Sequence, residues 1–190
     1  EEPIDEDYWV AGIEWAEALG AEVVSSSLGY TDWYSFEDMN GETAVTTKAA
    51  DRASSLGVVV VNAVGNERNT SWGHIIAPAD GFDVISVGAV DFSGEIASFS
   101  SPGPTYDGRI KPEVCALGVD SWLAANRPDH SDYYRRGSGT SFATPLIAGV
   151  AALILEIHRD WTPAQVRSAL LGTASRSSNP DNNYGWGIAN

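Results

Sequence analysis

The sequence lacks a second cysteine: Cys115 is the only one among its 190 residues. An intrachain disulfide and a metal cluster held by several thiolates are therefore both excluded. Basic residues are also scarce, 11 against 26 acidic ones, so the formal net charge is −15. Because a field of this sign repels phosphate backbones, nucleic acid is not expected as a partner.

Long hydrophobic runs are not evident either. No stretch approaches the ~18 apolar residues that a membrane-spanning helix needs, so no membrane partner is expected. Residues 1–7 are acidic and lack the basic start of a signal peptide. This acidic opening directly before a helical pattern is typical of a cut inside a larger protein. Hydrophobic residues make up 43% of the chain and charged residues 19%, a composition typical of one globular domain.

Helical and strand patterns alternate through the first half of the chain. The predicted elements are a helix at 8–19, a strand at 21–28, a helix at 43–56 and strands at 58–61 and 84–90. Residues 58–61 are all valine, which is typical of a strand buried on both faces. Strands that alternate with helices in this way predict an α/β protein with a mostly parallel sheet.

The second half contains loops and short strands up to residue 140 and then two helices. Residues 142–157 are apolar almost all round, with Glu156 the only charge, which predicts the most buried helix of the protein. The last helix begins at Thr162-Pro163, where threonine caps the helix and Gln165 completes a capping box.

Ser141 is the strongest candidate for a nucleophile. It follows the glycine-rich turn Gly137-Ser138-Gly139 and stands at the start of the apolar helix. Amide dipoles at a helix N-terminus favour negative charge that develops nearby. An isolated Gly-Thr-Ser is more often a simple helix cap. Here the apolar helix behind it places the serine over the core.

Asn66 is the candidate donor to an oxyanion. It follows Gly65 at the end of the buried strand that begins at Val58. A side-chain amide that leaves the carboxyl end of a central strand can donate a hydrogen bond to a forming oxyanion. A Gly-Asn pair alone is more often a plain turn, so this assignment depends on Ser141.

These segments together resemble one family. Gly-Thr-Ser-Phe-Ala-Thr-Pro at 139–145 and Ile-Ala-Gly-Val-Ala-Ala-Leu at 147–153 resemble the nucleophile segment of the subtilisin-like serine proteases, the subtilases. Further resembling segments are 8–29, 58–67, 97–101, 111–114 and 184–188. The resemblance implies a three-layer subtilisin-like fold of which residues 1–190 hold the C-terminal two-thirds. It also implies a serine endopeptidase.

The resemblance implies a role for each matching residue. Ser141 attacks the scissile carbonyl, and its N–H together with the Asn66 side chain holds the oxyanion. Thr140 supports that oxyanion site. Ser27, Leu28 and Gly29 pair as a strand with the substrate backbone. The other wall of the pocket for the residue preceding the cut is Ala63, Val64 and Gly65, and the far wall is expected from the loop 71–83. The small apolar walls predict a preference for apolar side chains.

The base and its orienting carboxylate are not found in the sequence. In the family, an aspartate and then a histidine precede the serine, each in its own motif, and neither motif occurs here. His74, His130 and His158 all lack that context. We therefore expect the first third of the catalytic domain to lie upstream and the chain alone to be inactive. Such a chain is expected to self-associate or to stay bound to the missing N-terminal segment.

No cofactor is required by this chemistry, and no metal ligand is assigned. Members of the family often bind structural calcium, and the acidic loops at 129–132 and 181–183 offer oxygen ligands without an ordered spacing. The resemblance implies polypeptide substrates and a secreted or cell-surface location.

Two other classes of protein are considered. Residues 139–143 approximate the serine turn of α/β-hydrolases, but that class needs an acid and a histidine after the serine, and His158 is the only histidine there. A non-catalytic subtilase-like binding or scaffold module would keep the fold and the serine segment. The sequence upstream of Glu1 would distinguish this module from an enzyme.

Overall fold

The computed structural model of the chain describes residues 2–125 and 133–190. Its main sheet has four parallel strands in the order β1-β2-β3-β4, formed by Val23–Ser26, Val59–Ala63, Ile85–Val90 and Val114–Leu117. Helices α1 (Pro3–Ala18) and α2 (Val45–Ser55) pack on one face, and α3 (Thr140–Ile157) and α4 (Pro163–Thr173) on the other. The predicted α/β architecture with a parallel sheet is confirmed.

The parallel order brings the ends of successive strands to one edge of the sheet. Val23 pairs with Val59 and Ser26 with Asn62, and Ala63 of β2 pairs with Val87 of β3. The loops that follow β1 and β2 therefore leave the sheet side by side. Strand β2 is buried along its whole length, as its run of valines predicts.

Some boundaries differ from the predictions. Helix α1 begins at Pro3 rather than at residue 8, because proline suits the first helical position and the N–H of Glu2 is capped by the Asp5 carboxylate at 3.0 Å. The apolar pattern could not show this polar first turn. The antiparallel pair β5 (Ser121–Ala124) and β6 (Tyr134–Gly137) agrees with the loops and short strands expected in that region.

The prediction that no stretch could span a membrane is wrong by length and composition, and α3, which has more buried residues than α1, α2 or α4, is not buried all round. With 18 residues and a mean hydropathy of 1.7, α3 is long and apolar enough to cross a membrane, although no such stretch was expected. Its burial is also one-sided. Ala143, Ile147 and Ala151 pack on the sheet, whereas Leu146, Leu153 and Ile157 are 49%, 61% and 77% exposed. The reason is that α3 lies on one face of the sheet, and nothing in the described residues covers its outer side.

Candidate active site

Ser141 is the second residue of α3, beside the carboxyl end of β1. Its Oγ donates to the carbonyl of Ser27 over 3.4 Å, and the Ser27 hydroxyl donates to the Ser141 carbonyl at 2.9 Å. The helix begins directly after Gly139, whose φ of 153° favours glycine. The Gly139 N–H also donates to the carbonyl of Gly118 at 2.8 Å, which anchors the turn behind β4.

The side chain of Asn66 is held by the residue that precedes Ser141. The N–H of Thr140 donates to Asn66 Oδ1 at 2.9 Å, and the Thr140 hydroxyl donates to the same oxygen at 3.1 Å. Thr140 is fully buried, whereas Asn66 is exposed. Because Oδ1 takes both bonds, the Nδ2 group of Asn66 faces away from Thr140.

Two N–H donors remain available at this point. Within residues 2–125 and 133–190, neither the N–H of Ser141 nor Nδ2 of Asn66 has a protein acceptor. Ser141 lies in the first turn of α3, where N–H groups have no partner inside the helix and the dipole is positive. An oxygen that becomes negative beside Ser141 Oγ can accept hydrogen bonds from both.

The segment 27–29 continues β1 beyond the last residue of the strand. The Glu22 carbonyl accepts from Val59 N–H on β2, and the Leu28 carbonyl accepts from Asn62 Nδ2 at 3.1 Å. In an extended chain the polar groups of alternate residues point to opposite edges. The backbone groups of Ser27 and Gly29 therefore face away from β2, toward the side where Ser141 lies, and Leu28 is 58% exposed.

The predicted second wall is formed mainly by backbone. Ala63 and Val64 are 2% and 0% exposed, and the Val64 side chain packs into a core cluster with Met39 and Ile75. Gly65, with a φ of 107°, makes the turn that leads to Asn66.

Two residues near these walls were missed by sequence analysis. Asn62, fully buried in β2, holds the Leu28 carbonyl; its signal is a polar residue inside an apolar strand, which requires a partner. Ile76 packs between Gly29 and Gly65; it lies in the loop 71–83 that was expected to supply the far wall, but nothing in the sequence singled out this residue of the loop.

The histidines that the structure describes lie away from Ser141. His74 stacks on Phe36 with ring centroids 3.8 Å apart. His158 caps the opposite end of α3 from Ser141. His130 lies outside the described residues. Residues 2–125 and 133–190 thus place no imidazole against the Ser141 hydroxyl.

Neither the thiol of Cys115 nor the acidic loop at 181–183 offers an alternative nucleophile or an open metal site. Burial raises the pKa of Cys115 to about 12, so the thiol stays protonated and unreactive at neutral pH. Asp181 accepts from the N–H groups of Asn183 and Tyr184 at 2.7 and 2.8 Å and pairs with Arg176 at 2.8 Å. Its carboxylate is therefore engaged in the turn. The loop at 129–132 lies outside the described residues.

With this geometry in place, the chain can be assigned to a family: it belongs to the Subtilase family, whose profile matches residues 3–187. It is 40% identical over 184 residues to "Subtilisin amylosacchariticus" of Bacillus subtilis subsp. amylosacchariticus, covering 96% of this chain and 43% of that protein. It is 32% identical over 206 residues to "Serine protease AprX" of Bacillus subtilis (strain 168), covering 95% and 46%. The chain thus spans less than half of either relative.

Solved structures confirm a subtilisin-like fold. The "Prenylagaramide maturation protease PagA" matches with a TM-score of 0.74 and 32% identity, over 97% of this chain and 64% of that one. The self-cleaved protease domain of PatA matches with a TM-score of 0.71 and 33% identity, over 95% and 63%. About a third of each protease chain therefore has no counterpart here.

Proposed function

We propose that this chain is the part of a serine endopeptidase that carries the nucleophile and the oxyanion site. The observation that carries the proposal is the pair of hydrogen bonds from Thr140 to Asn66 Oδ1. They fix an amide donor beside a serine hydroxyl at a helix N-terminus. This arrangement suits a carbonyl that becomes an oxyanion.

The reaction proceeds through an acyl-enzyme. Ser141 Oγ adds to the scissile carbonyl carbon, and the oxyanion accepts hydrogen bonds from Ser141 N–H and Asn66 Nδ2. Collapse of this intermediate releases the amine and leaves an ester on Ser141, which water then hydrolyses. The proton of Ser141 needs a base and an orienting carboxylate. Both come from a segment of the complete protein outside these 190 residues.

A polypeptide substrate binds as an added strand. The outward N–H and C=O of Gly29 and the carbonyl of Ser27 pair with its backbone, while Asn62 keeps the Leu28 carbonyl turned inward. This pairing places the residue preceding the cut between segments 27–29 and 63–65. We propose a secreted or cell-surface location for the complete protein, which is supported by the family resemblance.

The test uses the complete protein with its upstream segment. Ser141→Ala should abolish peptide hydrolysis and labelling by an organophosphonate that reacts with activated serines. Ser178→Ala, at an exposed serine on the far loop, is the matched control and should retain both. Equal hydrolysis by the wild type and Ser141→Ala would refute the assignment. A complete protein that binds peptides without cutting them would identify the binding module instead.

A further inference from the structure

We propose that Ile76 fills the pocket for the residue preceding the cut and restricts that residue to a small side chain such as alanine, glycine or serine. This inference rests on the proposed function, because the pocket is the space between the segments 27–29 and 63–65. The wall residues alone predicted a preference for any apolar side chain preceding the cut, and Ile76 narrows this preference to small side chains.

The evidence is the contact of one side chain with both walls. A Cβ added at Gly29 would lie 2.5 Å from Ile76 Cγ1, and one added at Gly65 would lie 3.0 Å from Cγ2 and 3.1 Å from Cδ1. The branches of Ile76 therefore touch the backbone of both walls at once. Both positions are glycine, and any larger residue at either would collide with Ile76.

The backbone around Ile76 keeps its side chain in this position. The Ile76 N–H donates to the Val64 carbonyl at 3.3 Å, and the next carbonyl, of Ala77, accepts from Tyr30 N–H at 2.9 Å. The segment 76–77 therefore bridges the far ends of the two walls. Ile75 points the other way and is fully buried in the core. Ile76 is only half-buried, so part of its side chain remains accessible.

The size of the filled space decides which substrates fit. Each methylene that a hydrophobic pocket accepts or rejects changes kcat/KM by about 10–200-fold. A phenylalanine or leucine side chain would need the volume that Ile76 occupies, whereas a single methyl group would rest against its exposed branch. The walls carry no charge in this region, so a lysine or arginine would gain no compensating contact.

The experiment compares four peptides that differ only in the residue preceding the cut: alanine, valine, leucine or phenylalanine. In the complete wild-type protein we expect kcat/KM for alanine to exceed that for phenylalanine by about 10²-fold or more. Ile76→Gly should raise the phenylalanine value by about 10²-fold and change the alanine value by less than about 10-fold. Ile76→Val should be intermediate, which keeps the test valid if Ile76→Gly does not fold.

Ile157→Gly is the matched control, since Ile157 is 77% exposed at the far end of α3, and the preference should stay as in the wild type. Phenylalanine cut as fast as alanine, or an unchanged ratio in Ile76→Gly and Ile76→Val, would overturn the proposal. Peptide binding to Ser141→Ala, measured by calorimetry, separates the two hypotheses. Tighter binding of the alanine peptide would support the filled pocket even if no peptide were cut, and equal or weaker binding would count against it.

Discussion

Asn66 can serve as an oxyanion donor only if its Nδ2 group, and not Oδ1, faces the oxyanion. The two hydrogen bonds from Thr140 to Oδ1 fix the amide in this orientation. We predict that Asn66→Ala in the complete protein lowers kcat by about 10²–10³-fold with little change in KM; this is the magnitude measured for the equivalent donor in a subtilisin. Thr140→Val, which removes one of two bonds to Oδ1, should lower kcat by about 10-fold. Thr140→Ser should restore it.

A double-variant cycle distinguishes this positioning role from a general loss of stability. Because Thr140 acts through Asn66, adding Thr140→Val to Asn66→Ala should cause little further loss of kcat. Independent, multiplying losses would contradict the role that we assign to Thr140. Steady-state kinetics of the four proteins on one peptide provides the measurement.

At the scale of residues, the sequence could predict the site residues that lie in a recognisable local motif. Ser141 follows a glycine-rich turn at the start of an apolar helix, Asn66 follows a glycine at the end of an apolar strand, and both fall within a family motif. Ile76 could not be found in this way, because its importance depends on two glycines that are distant in the sequence. Asn62 gave a signal, a buried amide in a strand, but its partner in segment 27–29 appears only in three dimensions.

At the scale of elements, a buried ion pair joins β3, β4 and α4. Glu113 accepts from Lys111 Nζ at 2.9 Å, from Arg167 at 2.8 Å and from the hydroxyl of Ser86 at 2.7 Å. Lys111 and Glu113 are 1% and 0% exposed. Burial by itself would raise the pKa of Glu113, but Lys111 and Arg167 hold it below its ordinary value.

We predict that Glu113→Gln destabilises the protein by about 3–5 kcal/mol, because it leaves the Lys111 charge buried without a counterion. Arg167→Gln should cost less, about 1.5–3 kcal/mol, because Arg167 is 29% exposed and Lys111 still balances the charge of Glu113. Because the pKa of Glu113 is lower in the folded protein, its contribution to the free energy of unfolding is fully present above pH 4.5, the ordinary pKa of a glutamate carboxyl. This contribution is lost as the pH falls below that value. Urea unfolding across this range should show a flatter acid dependence in Glu113→Gln. Identical curves would argue against the ion pair.

The sequence could predict that most helices and strands exist, but not which parts of the protein pack against each of them. The alternation of apolar periods predicted the sheet and its helices. The one-sided burial of α3 was missed because composition shows that a helix is apolar, but not which neighbours cover it. The early start of α1 was missed because its first turn is held by polar contacts, among them the hydrogen bond from Glu2 N–H to Asp5.

At the scale of the whole molecule, the free side of the site is also the free edge of the sheet. Strand β1 has β2 on one side and no other strand among the described residues. A groove of about 400 Å³ lies on each face of this edge, one lined by Val23 and α3 and the other by Val24 and α1. An added strand at β1 would lie beside both grooves.

This edge gives the last prediction. The alternation along β1 points the N–H groups of Val23 and Ser25 away from β2, so they are open to another strand. We expect the isolated 190-residue chain to associate through these groups, because an unpaired strand edge is a template for another strand. Ser25→Pro removes one outward N–H without touching the bonds to β2 and should shift the chain toward a 20.2 kDa monomer in analytical ultracentrifugation. Ser25→Thr keeps that N–H and should associate like the wild type. A wild-type chain that stays monomeric at about 100 μM, within the μM–mM range in which unpaired strand edges cause aggregation, would show that this edge does not pair.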